Sequence, residues 1–139
     1  MTVLITAGDP QGIGPEITVK AIKKLSKKER KRIVVIGDKN VLIKAGWTYS
    51  LSGIISVSSP YRNDDKSSAY ISFKSVEIAS KLIERGWANA LVTAPVSKEK
   101  WLRNGIKYNG HTDYFRKRFG KEALMCFKKD RVIAGLVSE

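Results

Sequence analysis

A histidine and a threonine within a turn-forming segment are the residues best placed to do chemistry. Residues 109–113 read Asn-Gly-His-Thr-Asp, so His111 and Thr112 follow a turn dipeptide and precede a plausible helix start. An imidazole and a hydroxyl can each donate or accept hydrogen bonds, which suits a polar ligand. His111 is the only histidine in the sequence. Taken alone, a histidine in such a place is more often a surface or capping residue.

A second segment that could bind a ligand lies near the start of the sequence. Residues 5–17 read Ile-Thr-Ala-Gly-Asp-Pro-Gln-Gly-Ile-Gly-Pro-Glu-Ile and predict a strand, a tight turn and a helix start. The turn either presents N–H groups to an anionic ligand or merely reverses the chain. It matches neither the Gly-x-Gly-x-x-Gly dinucleotide pattern nor a P-loop. Asp9 and Glu16 are candidate cleft residues, although local turn and helix-dipole roles are the simpler interpretation.

A lysine follows the fourth predicted strand. Residues 90–98 read Ala-Leu-Val-Thr-Ala-Pro-Val-Ser-Lys, and open α/β sheets bind their ligands at the carboxyl ends of such strands. Lys98 is therefore a candidate for steering an anionic substrate or orienting a carboxylate. A solvent-facing lysine in the first turn of a helix explains the pattern equally well.

Together the three segments resemble the 4-hydroxythreonine-4-phosphate dehydrogenase family of vitamin B6 biosynthesis. That family carries Gly-Asp/Glu-Pro-x-Gly-Ile-Gly-Pro-Glu, Thr-Ala-Pro-x-x-Lys and Gly-His-Thr-Glu/Asp in this order, and the likeness extends over residues 1–139. The resemblance implies an isocitrate/isopropylmalate dehydrogenase-like architecture, in which two α/β domains flank a cleft. Residues 1–139 are then expected to form a single, incomplete α/β unit corresponding to the N-terminal part.

The resemblance also implies an activity and a set of partners. Family members oxidise 4-phosphooxy-L-threonine with NAD, the product then loses carbon dioxide, and the enzymes are homodimers with a divalent metal (Zn, Mg or Co) held by three histidines. By the same resemblance His111 and Thr112 contact the phosphorylated substrate. The sequence stops about where the family continues into a His-x-Pro-Leu segment that carries its first metal ligand. We therefore expect a fragment without metal ligands that is inactive alone, and neither a catalytic nor an NAD-contacting residue is assigned.

Two alternative functions remain open at this stage. One is a sibling dehydrogenase of a phosphorylated four-carbon sugar acid, which shares these N-terminal motifs. The other is a non-catalytic basic binding module, because the net charge is +13 and residues 20–32 form a dense basic stripe. Ile17, Ala21, Ile22 and Leu25 are predicted to form the inward face of that helix. No aromatic residue interleaves with the lysines, so a solvated helix face is favoured over a nucleic-acid partner.

Composition places the protein among ordinary globular domains. Hydrophobic residues make up 42% and charged residues 28% of the sequence. No apolar run reaches the roughly 18 residues of a membrane span. A single cysteine, Cys126, and an apolar start broken at Gly8 argue against a secreted protein, so the cytoplasm is the expected compartment.

The hydrophobic pattern alternates between strands and helices, which predicts a layered α/β fold with a mostly parallel sheet and flanking helices. Strands are predicted at residues 3–6, 33–36, 54–57 and 90–93, and a hairpin at 124–127 and 132–137. Helices are predicted at residues 15–30, at 38–45 with Asp38 as cap, between a polar loop at 58–68 and Gly86, at 97–104 with Ser97 as cap, and after His111.

Overall fold

The computed structural model describes residues 1–57 and 61–120, and the backbone of two further strands up to residue 136. Its elements in chain order are β1 (Val3–Thr6), α1 (Gly14–Lys23), α2 (Lys27–Arg30), β2 (Ile33–Gly37), α3 (Lys39–Lys44), β3 (Gly53–Ser56), α4 (Asp65–Glu84), β4 (Ala90–Thr93), α5 (Lys98–Arg103), α6 (His111–Phe119), β5 (Met125–Lys129) and β6 (Val132–Leu136). No helix in the described part of the chain has the length and apolar character needed to cross a membrane.

A four-stranded parallel sheet with the order β3-β2-β1-β4 forms the centre of the fold. Strand β1 pairs with β2 on one side and with β4 on the other, so that Ile5 lies beside Val35 and Val92. The predicted parallel sheet is therefore present. Strands β5 and β6 form the predicted antiparallel hairpin, whereas Leu124 and Val137, which the prediction included, lie outside the described residues.

Helices cover both faces of the sheet because its strands alternate apolar side chains to either side. Val35 and Ile33 pack against α1 and α3, while Leu4 and Ile36 pack against α4. A third cluster lies beyond the sheet, where Trp101 and its aromatic neighbours pack against α4. This third cluster is the part of the core that supports the candidate functional residues.

The helix predicted over residues 15–30 is two helices, and its predicted inward face is partly wrong. Ser26 accepts a hydrogen bond from Glu29 N–H while the Glu29 carboxylate accepts one from Ser26 N–H, and this capping box starts α2 anew after α1 has ended. Within α1 the buried positions are Gly14, Pro15, Thr18, Val19 and Ile22, whereas Ile17 and Ala21 are exposed. Of the predicted inward face, Ile22 is buried and Leu25 is half-buried.

Helix α4 begins earlier than predicted and buries serines on its inner face. Asp64 caps it by accepting from Ser67 N–H at 2.6 Å, so residues 65–68 are helical and not part of a loop. Ser75 Oγ donates to the Ile71 carbonyl and Ser80 Oγ to the Val76 carbonyl, which satisfies the buried hydroxyls within the helix itself. The small side chains allow α4 to lie close to the sheet.

Two loops meet in close contact where β1 and β4 end. Gly8 has a φ of +76°, and a Cβ at this position would lie 2.2 Å from the Pro95 carbonyl oxygen. A backbone hydrogen bond of 2.9 Å from Asp9 N to that same oxygen joins the loops. Only glycine satisfies both the left-handed conformation and the close approach.

We expect Gly8→Ala to be strongly destabilising, because the new methyl group meets backbone in a conformation that already disfavours a side chain. The expected loss is about 3 kcal/mol or more in the free energy of unfolding. Gly86 is the matched control, since it has a φ of +70° and a Cβ at this position would meet nothing within 4 Å. Gly86→Ala is expected to cost about 1 kcal/mol. Denaturant-induced unfolding measures both, and equal losses would contradict the close-approach argument.

Candidate functional site

The candidate functional residues lie at the carboxyl ends of β1 and β4. Asp9 follows β1 through Ala7 and Gly8, and Lys98 begins α5 four residues after Ala94. This end of a parallel sheet is where α/β proteins bind ligands. Helix α6 begins at His111 and brings the third motif to the same region, because His111 contacts Trp101 of α5.

Asp9 is the buried centre of a polar network that joins three elements. Its carboxylate accepts hydrogen bonds from Ser68 Oγ of α4, from Lys100 Nζ of α5 at 2.9 Å, and from the N–H of Gln11 at 2.8 Å. Lys100 Nζ also donates to the Gln11 side-chain oxygen and lies 3.8 Å from Asp65 Oδ1. The network binds the turn after β1 to both helices.

These contacts keep Asp9 ionised in spite of its burial. Desolvation by itself raises the pKa of this carboxyl, but the hydrogen bonds from Ser68, Lys100 and Gln11 and the positive charge of Lys100 outweigh it and hold the pKa below its ordinary value of 3.8. Asp9 therefore stabilises the local turn, as the sequence indicates, and also joins that turn to α4 and α5. Asp9 contacts Gln11, Ser68 and Lys100 and does not extend toward His111 as a free acid.

We expect Asp9→Asn to lower the free energy of unfolding by about 2–4 kcal/mol at pH 7, because it removes the charge from a buried ion pair. Asp9 binds its proton more weakly in the folded than in the unfolded chain. The stability it contributes is therefore present above the ordinary pKa of 3.8 and is lost as pH falls through the lower folded-state pKa. Urea unfolding between pH 7 and pH 2.5, a range set by those pKa values, is expected to show a smaller acid-induced loss in the variant.

Glu16→Gln provides the control for this measurement. Glu16 is an exposed partner of Lys20 on α1, and exposed ion pairs of this kind contribute little. The control is expected to leave the pH profile almost unchanged. A profile for Asp9→Asn that matches the original protein at every pH would contradict the role given to the network.

His111 occupies an aromatic environment at the start of α6. Its ring is stacked on Phe115 at 6.2 Å between centroids and meets the Trp101 ring edge-on at 5.9 Å. Trp101 is itself fixed, since its Nε1 donates to Ser72 Oγ at 2.8 Å. His111 Nε2 is buried, and no described residue forms a hydrogen bond with it. The contacts with Phe115 and Trp101 hold the imidazole in place.

Lys98 lies beside this imidazole. Its side-chain carbons run alongside Gly110, where an added Cβ would lie 3.0 Å from Lys98 Cε. Burial lowers the pKa of His111, and the positive charge of Lys98 lowers it further below its ordinary value of 6.5. His111 is consequently neutral at pH 7. Thr112 follows in the first turn of α6 and is half-buried.

We expect the imidazole of His111 to titrate below its ordinary pKa of 6.5. Because His111 is the only histidine, its ring C–H resonances give the pKa directly in an NMR titration. Lys98→Gln is expected to raise that pKa, although burial still holds it below the ordinary value. Lys81→Gln, on the exposed side of α4, is the control and is expected to leave it unchanged. A His111 pKa above 6.5 in the original protein would contradict this placement.

Of the residues singled out from the sequence, the structure thus brings together Lys98, His111 and Thr112. Asp9 and Glu16 have partners outside this group. Lys100 was missed by the sequence analysis. Its partner Asp9 is 91 positions away, and no periodicity or spacing in the sequence connects them. The Ser97 cap was the available signal, because it begins α5 and so places Lys100 in the first turn of that helix.

The described residues do not provide a metal site. No group of three or more His, Cys, Asp or Glu side chains converges within the part of the chain whose side chains are described. Asp9 and Asp38 are buried carboxylates at this end of the sheet. The oxygens of Asp9 already accept from Ser68, Lys100 and Gln11, and those of Asp38 accept from the N–H groups of Val41 and Tyr61. No chemical step is therefore derived through a metal.

The fold is that of a layered α/β protein whose candidate functional residues lie at the carboxyl ends of a parallel sheet. Comparison with known proteins supports this class. The family described as "Pyridoxal phosphate biosynthetic protein PdxA" matches residues 4–139. The 4-hydroxythreonine-4-phosphate dehydrogenase of Sulfurimonas denitrificans is 31% identical over 99% of this chain and 47% of its own length. That of a Sulfurihydrogenibium species is 32% identical over 89% of this chain and 46% of its own length.

Solved structures agree with the sequence comparison. The crystal structure of the 4-hydroxythreonine-4-phosphate dehydrogenase of Klebsiella pneumoniae superposes with a TM-score of 0.77 at 22% identity, over 96% of this chain and 49% of that one. The chain belongs to the PdxA family. The predicted fold class, a layered α/β fold of the isocitrate dehydrogenase type that is incomplete, is confirmed. The chain spans about half the length of the curated relatives that it matches.

Proposed function

We propose that residues 1–139 form the substrate-binding α/β unit of an NAD-dependent 4-hydroxythreonine-4-phosphate dehydrogenase in vitamin B6 biosynthesis. The observation that carries this proposal is a half-buried imidazole, that of His111, whose Nε2 has no hydrogen-bond partner among the described residues and which lies beside Lys98. Membership of the PdxA family and the dehydrogenases named among its relatives support the same function.

The charges around His111 suit a phosphorylated substrate. Among the described residues no carboxylate lies within ion-pair distance of Lys98. An anionic group that approaches this corner therefore finds an uncompensated positive charge. The neutral imidazole of His111 and the hydroxyl of Thr112 can each donate or accept a hydrogen bond to orient the remaining polar groups of the substrate. We assign His111 and Thr112 to substrate binding on this basis.

The cofactor and the assembly follow from the family. A nicotinamide cofactor would accept a hydride from the substrate alcohol, and the family's divalent metal would polarise that hydroxyl. The three histidines that the family resemblance implies as metal ligands have no counterpart in residues 1–139, whose one histidine is His111. No residue is assigned to NAD. We also infer a homodimer in the cytoplasm.

The test of this function is a chimera in which residues 1–139 are joined to the C-terminal half of the Sulfurimonas denitrificans relative. We expect NADH formation that depends on 4-hydroxythreonine 4-phosphate. In this chimera His111→Ala is expected to lower kcat/KM about ten- to hundredfold, because a hydrogen bond to a charged group contributes about 1.5–3 kcal/mol. Bound metal, measured by elemental analysis on the same preparation, is expected to stay unchanged.

Three outcomes would count against the assignment. Loss of bound metal with a preserved fold would make His111 a metal ligand, and unchanged kinetics would make it a surface residue. NADH formation with a phosphorylated four-carbon sugar acid, but not with 4-hydroxythreonine 4-phosphate, would instead select the sibling dehydrogenase. Lys81→Ala is the control variant, since this exposed lysine of α4 has no part in the site.

A further inference from the structure

A basic cavity opens at the end of the sheet opposite to the candidate site. It has a volume of about 420 Å³ and lies between α2 and the loop that precedes β3. Residues 31 and 53 precede or begin β2 and β3, which are parallel, so both line the amino end of the sheet. Its polar lining residues are Lys27, Arg30, Lys31, Tyr49, Ser50 and Ser52. None of them takes part in the dehydrogenase site.

The cavity concentrates positive charge without an acidic counterpart. Lys27, Arg30 and Lys31 line it, and the lining contains neither Asp nor Glu. The neighbouring Glu29 carboxylate is engaged by the backbone N–H of Ser26 in the capping box of α2. Cations placed this close repel one another until an anion neutralises them.

Two donors of the cavity are held in position before any ligand arrives. Arg30 Nη2 donates to the Lys23 carbonyl, which orients the guanidinium. Ser52 is buried, and its Oγ accepts a hydrogen bond of 3.0 Å from Nε1 of the buried Trp47. That contact leaves the hydroxyl hydrogen of Ser52 available to donate. Donors fixed in this way lose little freedom on binding an acceptor.

We propose that this cavity binds a compact polyanion of the di- or triphosphate class. Phosphate oxygens accept hydrogen bonds from guanidinium, ammonium and hydroxyl donors, and the cavity supplies all three. The shared chemistry is the phosphate group itself, either as a free inorganic anion or as part of a nucleotide. Part of the proposed binding site thus lies within the basic stripe of residues 20–32.

Calorimetric titration of the purified chain with inorganic pyrophosphate and with a nucleoside diphosphate, at one ionic strength, tests the proposal. The double variant Lys27→Gln, Lys31→Gln removes two charges from the cavity. The matched control Lys24→Gln, Lys28→Gln removes the same charge from exposed positions of the same segment that do not line it. We expect the Kd for pyrophosphate to rise about tenfold or more in the first variant and by less than about twofold in the second.

Ser52→Ala adds a measurement that leaves the net charge untouched. We expect it to weaken pyrophosphate binding about fivefold or more, because one fixed donor is lost. Thermal unfolding monitored by circular dichroism confirms that each variant is folded before titration. If the lysine variant proves unfolded, the Ser52 and control variants still decide the proposal.

The outcomes separate the sources of the ligand and the competing explanations. Equal affinity for pyrophosphate and the nucleotide would show that the phosphate group alone is recognised. Tighter binding of the nucleotide would indicate an added contact, for which the exposed Tyr49 ring is available. Both results support the proposal. Equal weakening in the two lysine variants, or no pyrophosphate binding near 1 mM, overturns it. Sub-micromolar binding of a labelled DNA duplex that both lysine variants weaken equally would also overturn it, in favour of a nucleic-acid surface.

Discussion

The ion pair between Asp9 and Lys100 is the contact on which the arrangement of the strand ends depends. It joins the turn after β1 to α5, and Ser68 brings α4 into the same network. A buried carboxylate tolerates this position only because fixed donors replace the water that it lost. The backbone hydrogen bond from Asp9 N–H to the Pro95 carbonyl holds the same two loops together, and the absence of a side chain at Gly8 permits this approach.

Helix α5 connects this ion pair to the candidate functional site. It is six residues long, and it carries three side chains with different surroundings. Lys100 is neutralised by Asp9, Trp101 is packed in the aromatic cluster, and Lys98 lies beside His111 without a carboxylate among the described residues at ion-pair distance. The position of Lys98 relative to His111 is therefore determined by the ion pair of Lys100 and the packing of Trp101. Displacement of α5 would disturb the ion pair, the aromatic packing and the position of Lys98 at once.

Much of this fold could be predicted from short-range patterns. The four strands of the sheet are brief β-branched or apolar runs bounded by glycine, aspartate or proline, and the caps at Asp38 and Ser97 are where their residue types indicated. The break at Ser26 has a local signature, Ser-Lys-Lys-Glu, but the continuous basic pattern around it obscured the capping box. The Asp9 network could not be predicted, because its members are separated by up to 91 positions and meet only after the sheet has formed.

The strand order of the central sheet has a consequence for how the chain folds. β1 precedes the other strands of the sheet along the chain, yet it lies between β2 and β4. Its pairing with β4 joins residues 87 positions apart, as Val3 and Ala90 are. Closing so long a loop is entropically costly, which slows folding relative to chains with local contacts. One edge of β1 therefore stays unpaired until the whole of α4 and then β4 have left the ribosome. During that interval the apolar cluster around Leu4 and Ile36 lacks Leu91 of β4, so part of its surface stays accessible to other chains.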